Sequence, residues 1–196
     1  EHAAGKAKKS ALEIVGKAAE LAAGGEVVCA IIGANLEGDY AELGHYGATK
    51  VLKANDAALE NYTPEGYANV LAGMVEAAGA QVVLAAASPD GKDLLSKVAA
   101  RTKSGCATDC IDIRAAGDGV QVTRPIFAGK ALIDVDFNSA IAFATLRPNS
   151  FGLVDADEGK SAAAEDFGGA AGEIRTAIVD VTAAGSDRAD LTEAER

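Results

Sequence analysis

Apolar positions along the chain gather in short runs separated by Gly, Pro and polar clusters, and the clearest such unit spans 81–103. Gln81-Val82-Val83-Leu84-Ala85-Ala86-Ala87 is an almost unbroken apolar run of strand length, the pattern of a strand covered on both faces. Ser88-Pro89-Asp90-Gly91 reads as a tight turn. From Lys92 to Lys103 the spacing turns helical, with Leu94, Leu95, Val98 and Ala99 on one face. Asp90 is the expected N-cap, with Asp93 three residues on, and Gly105 stands where a helix usually stops. Strand, tight loop, helix is the unit of a doubly wound α/β sheet. Its loop lies where such sheets bind ligands, at unpaired backbone N–H groups.

The same patterns recur upstream. Ser10-Ala11-Leu12-Glu13 predicts a capping box, followed by a stripe of Ala11, Ile14, Val15, Ala18, Ala19 and Ala22 that Gly24-Gly25 closes. A buried strand is expected over 26–33. A polar, Gly-punctuated stretch over 34–46 reads as loop with one helical turn, and 48–53 as a short strand. Thr63-Pro64 predicts the start of a helix whose apolar face is Tyr67, Val70, Leu71, Met74, Val75 and Ala78, with Gly79 as its stop. A helix that precedes the first strand is unusual in a parallel sheet, where a strand normally leads into such a helix. A strand ahead of the first helix is therefore expected to be missing.

Beyond 105 the style changes. Strands are expected over 108–115, 119–127, 131–137 and 139–146, with Gly117-Asp118-Gly119 as a hairpin turn, as antiparallel additions to one edge of the parallel sheet. Residues 150–172 are rich in Ala, Gly, Asp and Glu without a period and read as loop or mobile arm. Strand alternation returns over 173–181 through Ile174, Thr176 and Ile178. A single α/β domain is expected over 1–185, with 186–196 as a charged linker toward a further domain.

Composition narrows the function classes. The 196 residues hold 49% hydrophobic residues but only 5% aromatic and no Trp, so the core must be built from Ala, Val, Leu and Ile. A net charge of −11 argues against non-specific nucleic-acid binding and against anionic membranes. It serves solubility, or docking to a basic partner. No apolar run approaches the roughly 20 residues of a membrane span. Cys29, Cys106 and Cys110 form no disulfide framework. Without a nearby His or further Cys they form no metal site either, and they read as buried thiols in a reducing cytoplasm.

Chemistry-bearing motifs are sparse. Gly33-Ala34-Asn35-Leu36-Glu37-Gly38 lacks the dinucleotide-binding order, Gly91-Lys92 lacks the upstream Gly of a Walker loop, and Gly168-Gly169-Ala170-Ala171-Gly172 has no strand before it. His2, at a strand end where it could mark a sheet-edge site, and His45, in a loop, read as structural or solvated. No Ser lies in a nucleophile elbow, so no catalytic set is visible. The candidate ligand loop is Ser88, Asp90, Gly91 and Lys92. A second candidate is Thr123-Arg124-Pro125-Ile126-Phe127-Ala128-Gly129-Lys130-Ala131, where Pro interrupts strand-like sequence. It is either an edge-strand bulge or a shaped loop presenting Arg124, Gly129 and Lys130 to an acidic partner or phosphate.

The stretches Ala86 through Leu95, Val98-Ala99-Ala100-Arg101, Ala107-Thr108-Asp109-Cys110, Thr123 through Ala131 and Leu146-Arg147-Pro148-Asn149-Ser150-Phe151 resemble the alpha subunit of the electron transfer flavoproteins. Glu1-His2, Gly5-Lys6 and Ser10-Ala11-Leu12-Glu13 resemble that family's start, so the likeness covers nearly the whole chain. The resemblance adds Arg147 as a partner or loop contact. It implies a nucleotide-hydrolase-like three-layer sandwich: a mainly parallel twisted sheet with helices on both faces, plus antiparallel edge strands. It implies a heterodimer with a beta subunit that takes electrons onto FAD from acyl-CoA or other dehydrogenases, as in fatty acid beta-oxidation. The electrons then pass to a quinone oxidoreductase or another respiratory acceptor. It places the protein in the bacterial cytoplasm, or in the mitochondrial matrix of a eukaryote. The family's FAD-binding motifs, with their Ser, Arg, Gln and His, have no counterpart here. FAD ligands are therefore expected after Arg196, and this stretch by itself is expected to hold no FAD and to lack redox activity. The family's strand before Glu-His is also absent. On this reading the domain scaffolds the heterodimer, with 124–130 and the 150–172 arm among its contacts. The alternative is a stand-alone α/β protein binding AMP or ATP at Ser88 to Lys92.

Overall fold

A computed structural model describes residues 1–3 and 5–182. A small hairpin, β1 (His2–Ala3) and β2 (Lys6–Ala7), leads into α1 (Lys9–Ala22). Then come β3 (Val28–Gly33), a 3-10 stretch Tyr40–Tyr46, β4 (Lys50–Asn55) and a second 3-10 turn Ala57–Leu59. α2 (Pro64–Ala77), β5 (Val82–Ala86), α3 (Pro89–Arg101) and β6 (Gly105–Cys110) follow. The last elements are β7 (Asp112–Ala116), β8 (Gly119–Ile126), β9 (Ala131–Asp136), β10 (Ala142–Leu146) and β11 (Ala163–Asp166). Strands β5-β10-β6 and β11-β4-β3 are parallel ladders, and β7-β8-β9 is antiparallel. The expected α/β class, with parallel strands, flanking helices and added antiparallel strands, is what the chain adopts.

The two-residue period of the strands builds the core on both faces. Ile32, Leu52, Ala54 and Phe143 join Val70, Met74, Leu95 and Val98 of α2 and α3. The alternate positions Ile31 and Val51 join Val15 of α1, and Ala142, Ala144 and Leu146 join Ile113 and Val122 of the antiparallel sheet. Every residue of β10 is buried, as a central strand covered on both sides requires.

Several expectations give way. The stretch 139–146 is no antiparallel addition: β10 lies between β5 and β6, parallel to both, because its continuous apolar run needs cover on two faces. The stretch 108–115 is two strands in two sheets, β6 and β7. Asp109, at φ 61°, bulges the ladder before the chain turns. Pro125 is not on an edge strand, since β8 is the middle strand of its sheet. β7 pairs only as far as Thr123, so Pro125 opposes Leu132 of β9 alone and its missing N–H breaks no second ladder.

Ser10 does not cap α1. Lys8 holds the N-cap position without a side-chain bond, and Glu13 is buried because its carboxylate accepts from the Asn149 backbone N–H at 2.9 Å. The 150–172 arm contains β11, paired to β4 through Ala163, Ala164, Glu165 and Asp166. Gly44 admits that segment: a Cβ on Gly44 would lie 2.3 Å from the Ser161 carbonyl carbon. Residues 173–181 alternate in sequence yet make no ladder. Ile174 packs on the core, while Ile178, Val179 and Val181 are exposed. The proposed linker 186–196 lies outside the described residues.

Candidate functional site

At the C-terminal ends of β5, β10 and β6 the chain gathers most of the residues singled out from its sequence. The first turn of α3 begins one residue after Ser88, so the expected turn is a cap plus helix. Ser88, not Asp90, is the N-cap, and its Oγ accepts from Gly91 N–H at 3.0 Å. Pro89 occupies the first helical position, where its missing N–H costs nothing. The same Ser88 hydroxyl donates to the Glu1 carboxylate. Burial raises the Asp90 carboxyl above its ordinary value, and the charge of Glu1 raises it further. The helix N-terminus is thus already faced by two carboxyl groups of the chain itself, which is a poor electrostatic environment for phosphate. α2 is similar, with Glu65 in its first turn.

Asp109 is the centre of a second cluster. Its bulged, left-handed conformation is one that Asp tolerates, and its N–H is held by the buried Thr145 hydroxyl at 2.9 Å. This turns the carboxylate toward Arg147, which donates from Nε at 3.0 Å and from Nη2 at 2.7 Å. Those hydrogen bonds hold the Asp109 carboxyl below its ordinary range, against a smaller opposing effect of burial, and the charges of Arg147, Lys92 and Arg124 add to the lowering. Of the candidate cations, Arg147 is bonded to this carboxylate, while Lys92 and Arg124 act on it through their charge alone. Asp109 itself was missed as a site residue, since nothing local marks a bulge that pairs across 38 positions.

The pair has a pH signature. A carboxyl whose folded pKa is depressed stabilises the fold above its unfolded value of about 3.9, and that contribution disappears as pH falls through the folded value. The stability gap between the parent protein and Arg147→Met is expected to be at most about 1 kcal/mol at pH 7, since both side chains are partly exposed, and to shrink as pH falls below about 4, closing once it passes below the folded value. Urea unfolding from pH 7 to pH 3 measures it. A gap of the same size at pH 3 as at pH 7 would show that Arg147 acts through packing alone.

The remaining candidates stand apart from this cluster. Gly129 and Lys130 are exposed in the β8–β9 turn. That turn has Phe127 and Ala128 at φ 51° and 53°, a type I′ conformation closed by Gly129 N–H to the Ile126 carbonyl at 3.1 Å. Gly or Asn normally fills these positions; a Phe there carries strain of order 1 kcal/mol. Phe127 is 75% exposed and Leu132 60%. Beyond Thr123 the two strands extend as a ribbon without β7 beside them. Arg124 Nε is buried there without a hydrogen-bond partner among the described residues.

The thiols are held protonated. Burial pushes Cys29 up to about 12 and Cys110 to about 11, and raises Cys106 as well. Among the described residues no three His, Cys, Asp or Glu side chains are placed to share a metal ion. No helix there is long and apolar enough to cross a membrane.

Comparison with known proteins identifies this architecture. The model for the electron transfer flavoprotein domain matches residues 1–171. The chain belongs to the electron transfer flavoprotein family. It is 36% identical over 191 residues to an electron transfer flavoprotein alpha subunit of Bacillus subtilis, covering 97% of this chain and 59% of that protein. It is 30% identical over 200 residues to an alpha subunit of Clostridium acetobutylicum, covering 97% and 60%. Subunit LctC of an Acetobacterium woodii lactate dehydrogenase (NAD(+),ferredoxin) is 33% identical over 156 residues, covering 77% and 37%. The chain thus spans about three fifths of the length of its alpha-subunit relatives.

Proposed function

We propose that this domain is the scaffold half of an electron transfer flavoprotein alpha subunit, holding the beta subunit and an FAD-binding domain whose ligands follow Arg196. In the assembled protein FAD would carry electrons from acyl-CoA or other dehydrogenases to a quinone oxidoreductase or another respiratory acceptor, in the cytoplasm. The name of the Acetobacterium woodii relative, a dehydrogenase subunit, supports a dehydrogenase as donor. The residues described here supply no redox step. Their work is to bind and to position.

The observation that carries the scaffold reading, within a family of flavin carriers, is the β8–β9 ribbon. A strained turn that points Phe127 into solvent, beside exposed Leu132 and Lys130, has the composition of a docking anchor: an apolar tip next to a positive charge. Strain at an exposed position persists only when something outside the turn repays it.

The test separates folding from docking. The double variant Phe127→Asn, Ala128→Gly supplies the preferred type I′ pair and is expected to stabilise the chain by about 1 kcal/mol. It is also expected to weaken binding of the beta subunit at least tenfold, by surface plasmon resonance against the full alpha subunit. Unchanged affinity would remove the ribbon from the interface.

A nucleotide-binding reading is tested by calorimetric titration with AMP and ATP. Two carboxyl groups facing the α3 N-terminus predict no micromolar binding there, and such binding would restore that reading.

A further inference from the structure

β8 carries an arginine where its own pattern calls for an apolar residue. Val120 and Val122 are buried on the inner face of β8, in one cluster with Ala107 and Cys110 of β6 and Leu146 of β10. Arg124, two positions further along, shares that face. The Ile111 N–H donates to the Thr123 carbonyl at 2.9 Å, so Arg124 follows directly on the bond that ties β8 to the end of β6. Its side chain is half-buried. Nε is enclosed and has no hydrogen-bond partner among the described residues, whereas the Nη end of the guanidinium is not enclosed.

The groups around it are already occupied. The Asp109 carboxylate, on which the Arg124 charge acts, gives both oxygens to Arg147. Cys106 and Cys110, which the same charge reaches, stay protonated because burial outweighs it. The chain holds 29 Asp and Glu, yet among the described residues none lies within ion-pair distance of Arg124. Arg114 of β7 is the contrast, since it donates to Asp112, Gln121, Thr123 and Asp134. An enclosed donor without an acceptor is costly, and more so on a charged group.

The group that completes Arg124 is an oxyanion. A free ion is a poor occupant, because a partly exposed ion pair is worth about 1 kcal/mol or less and a free ion also gives up its translational freedom. An anion carried on a docked chain has already lost that freedom. A protein supplies it as an Asp or Glu side chain, whose single charge matches the one uncompensated guanidinium. The position agrees with this. Arg124 opposes Ile133 in the β8–β9 ribbon and stands three residues before Phe127, so cation and apolar tip lie roughly 10 Å apart along the chain.

We propose that Arg124 is a docking residue whose Nη end takes an Asp or Glu carboxylate of the chain that covers the β8–β9 ribbon. The partner surface then holds an apolar pocket for Phe127 and a carboxylate roughly 10 Å from it. This rests on the docking role proposed for the ribbon and names the second point at which the ribbon is held.

The test uses the full alpha subunit and the beta subunit, with surface plasmon resonance at about 50 mM and about 500 mM salt. Arg124→Met keeps an apolar stem and removes the charge. It is expected to weaken binding at least tenfold at the lower salt, and that loss should shrink about threefold or more at the higher. Its urea midpoint is expected to equal or exceed that of the parent, because an enclosed donor without an acceptor is gone. Arg124→Lys should keep part of the affinity, and Arg114→Met should stay within about twofold of the parent. A lower urea midpoint together with lower affinity in Arg124→Met would make the residue structural and overturn the proposal. Equal losses at both salts would overturn it too, since the contact would not be ionic. Unchanged affinity in Arg124→Met, beside a weakened Phe127→Asn, Ala128→Gly variant, would remove the carboxylate contact and leave the ribbon in the interface. The reverse pattern would remove the ribbon and leave the carboxylate contact standing.

Discussion

Replacing Phe143 by alanine is expected to lower the folding stability by about 3–5 kcal/mol, the largest loss from any single truncation considered for this protein. Phe143 is fully buried at the second position of β10, the strand that β5 and β6 flank. Among the described residues it is the one aromatic with a fully buried side chain, in a chain with only 5% aromatic residues. Its neighbours in the core include Val98 and Leu95 of α3 and Val70 of α2. Those side chains are short and branched, held on rigid helices, and cannot swing into the space a ring leaves. The cavity therefore persists, and its cost adds to the lost transfer energy. At roughly 2–4 °C per kcal/mol for a domain of this size, the melting temperature should drop by about 10 °C. Phe143→Leu, which keeps most of the volume, should recover more than half of the loss. Thermal and urea unfolding of both variants provide the measurement. A loss below about 1.5 kcal/mol for Phe143→Ala would mean that β10 is not the packed centre of its ladder.

The second large effect is expected at Gly91. Alanine in the interior of a helix is ordinarily worth about 1 kcal/mol over glycine. Here the sign should reverse, with a net loss of about 2 kcal/mol. A Cβ on Gly91 would lie 2.1 Å from the carbonyl oxygen of Ala86, the last residue of β5, and that atom belongs to the backbone, which cannot rotate away. Either α3 backs off from the sheet or the end of β5 moves. Both would disturb the Ser88 cap and the Ala87 N–H bond to the Leu146 carbonyl at 2.8 Å. Gly91 was read in the sequence as part of a ligand loop. Its structural place makes it the residue that lets a helix start directly against a strand end. If Gly91→Ala left stability unchanged while altering binding of AMP or ATP, the ligand-loop reading would regain its footing.

How far the chain could be read without its structure follows from the range of the forces involved. The three helices and the strands β3, β5, β8 and β9 were legible because periodicity, caps and turn residues act within a few positions. Even there, local signals misjudged the caps. Ser10 and Glu13 have the spacing of a capping box, but Glu13 is drawn into a bond with Asn149, 136 positions away. The segment 173–181 alternates like a strand and is not one, whereas Ala163–Asp166 has little strand propensity and is one. Strand identity depends on an available edge, and β4 offers its free edge to the second segment alone.

The candidate site divides in the same way. Arg124, Lys92 and Arg147 could be named individually as cations in unusual settings. The bond from Arg147 to Asp109 could not, because it rests on a bulge in β6 and on the placement of β10 beside it.

By itself, then, the order of residues determined the class of fold, the positions of the helices and the family: hydrophobic period and motif spacing are properties of neighbours along the chain. The tertiary structure alone decided which strand lies at the centre of each ladder and which carboxylate meets the α3 N-terminus. Those outcomes are settled by hydrogen bonds and close packing between segments tens of residues apart, and no local pattern encodes such pairings.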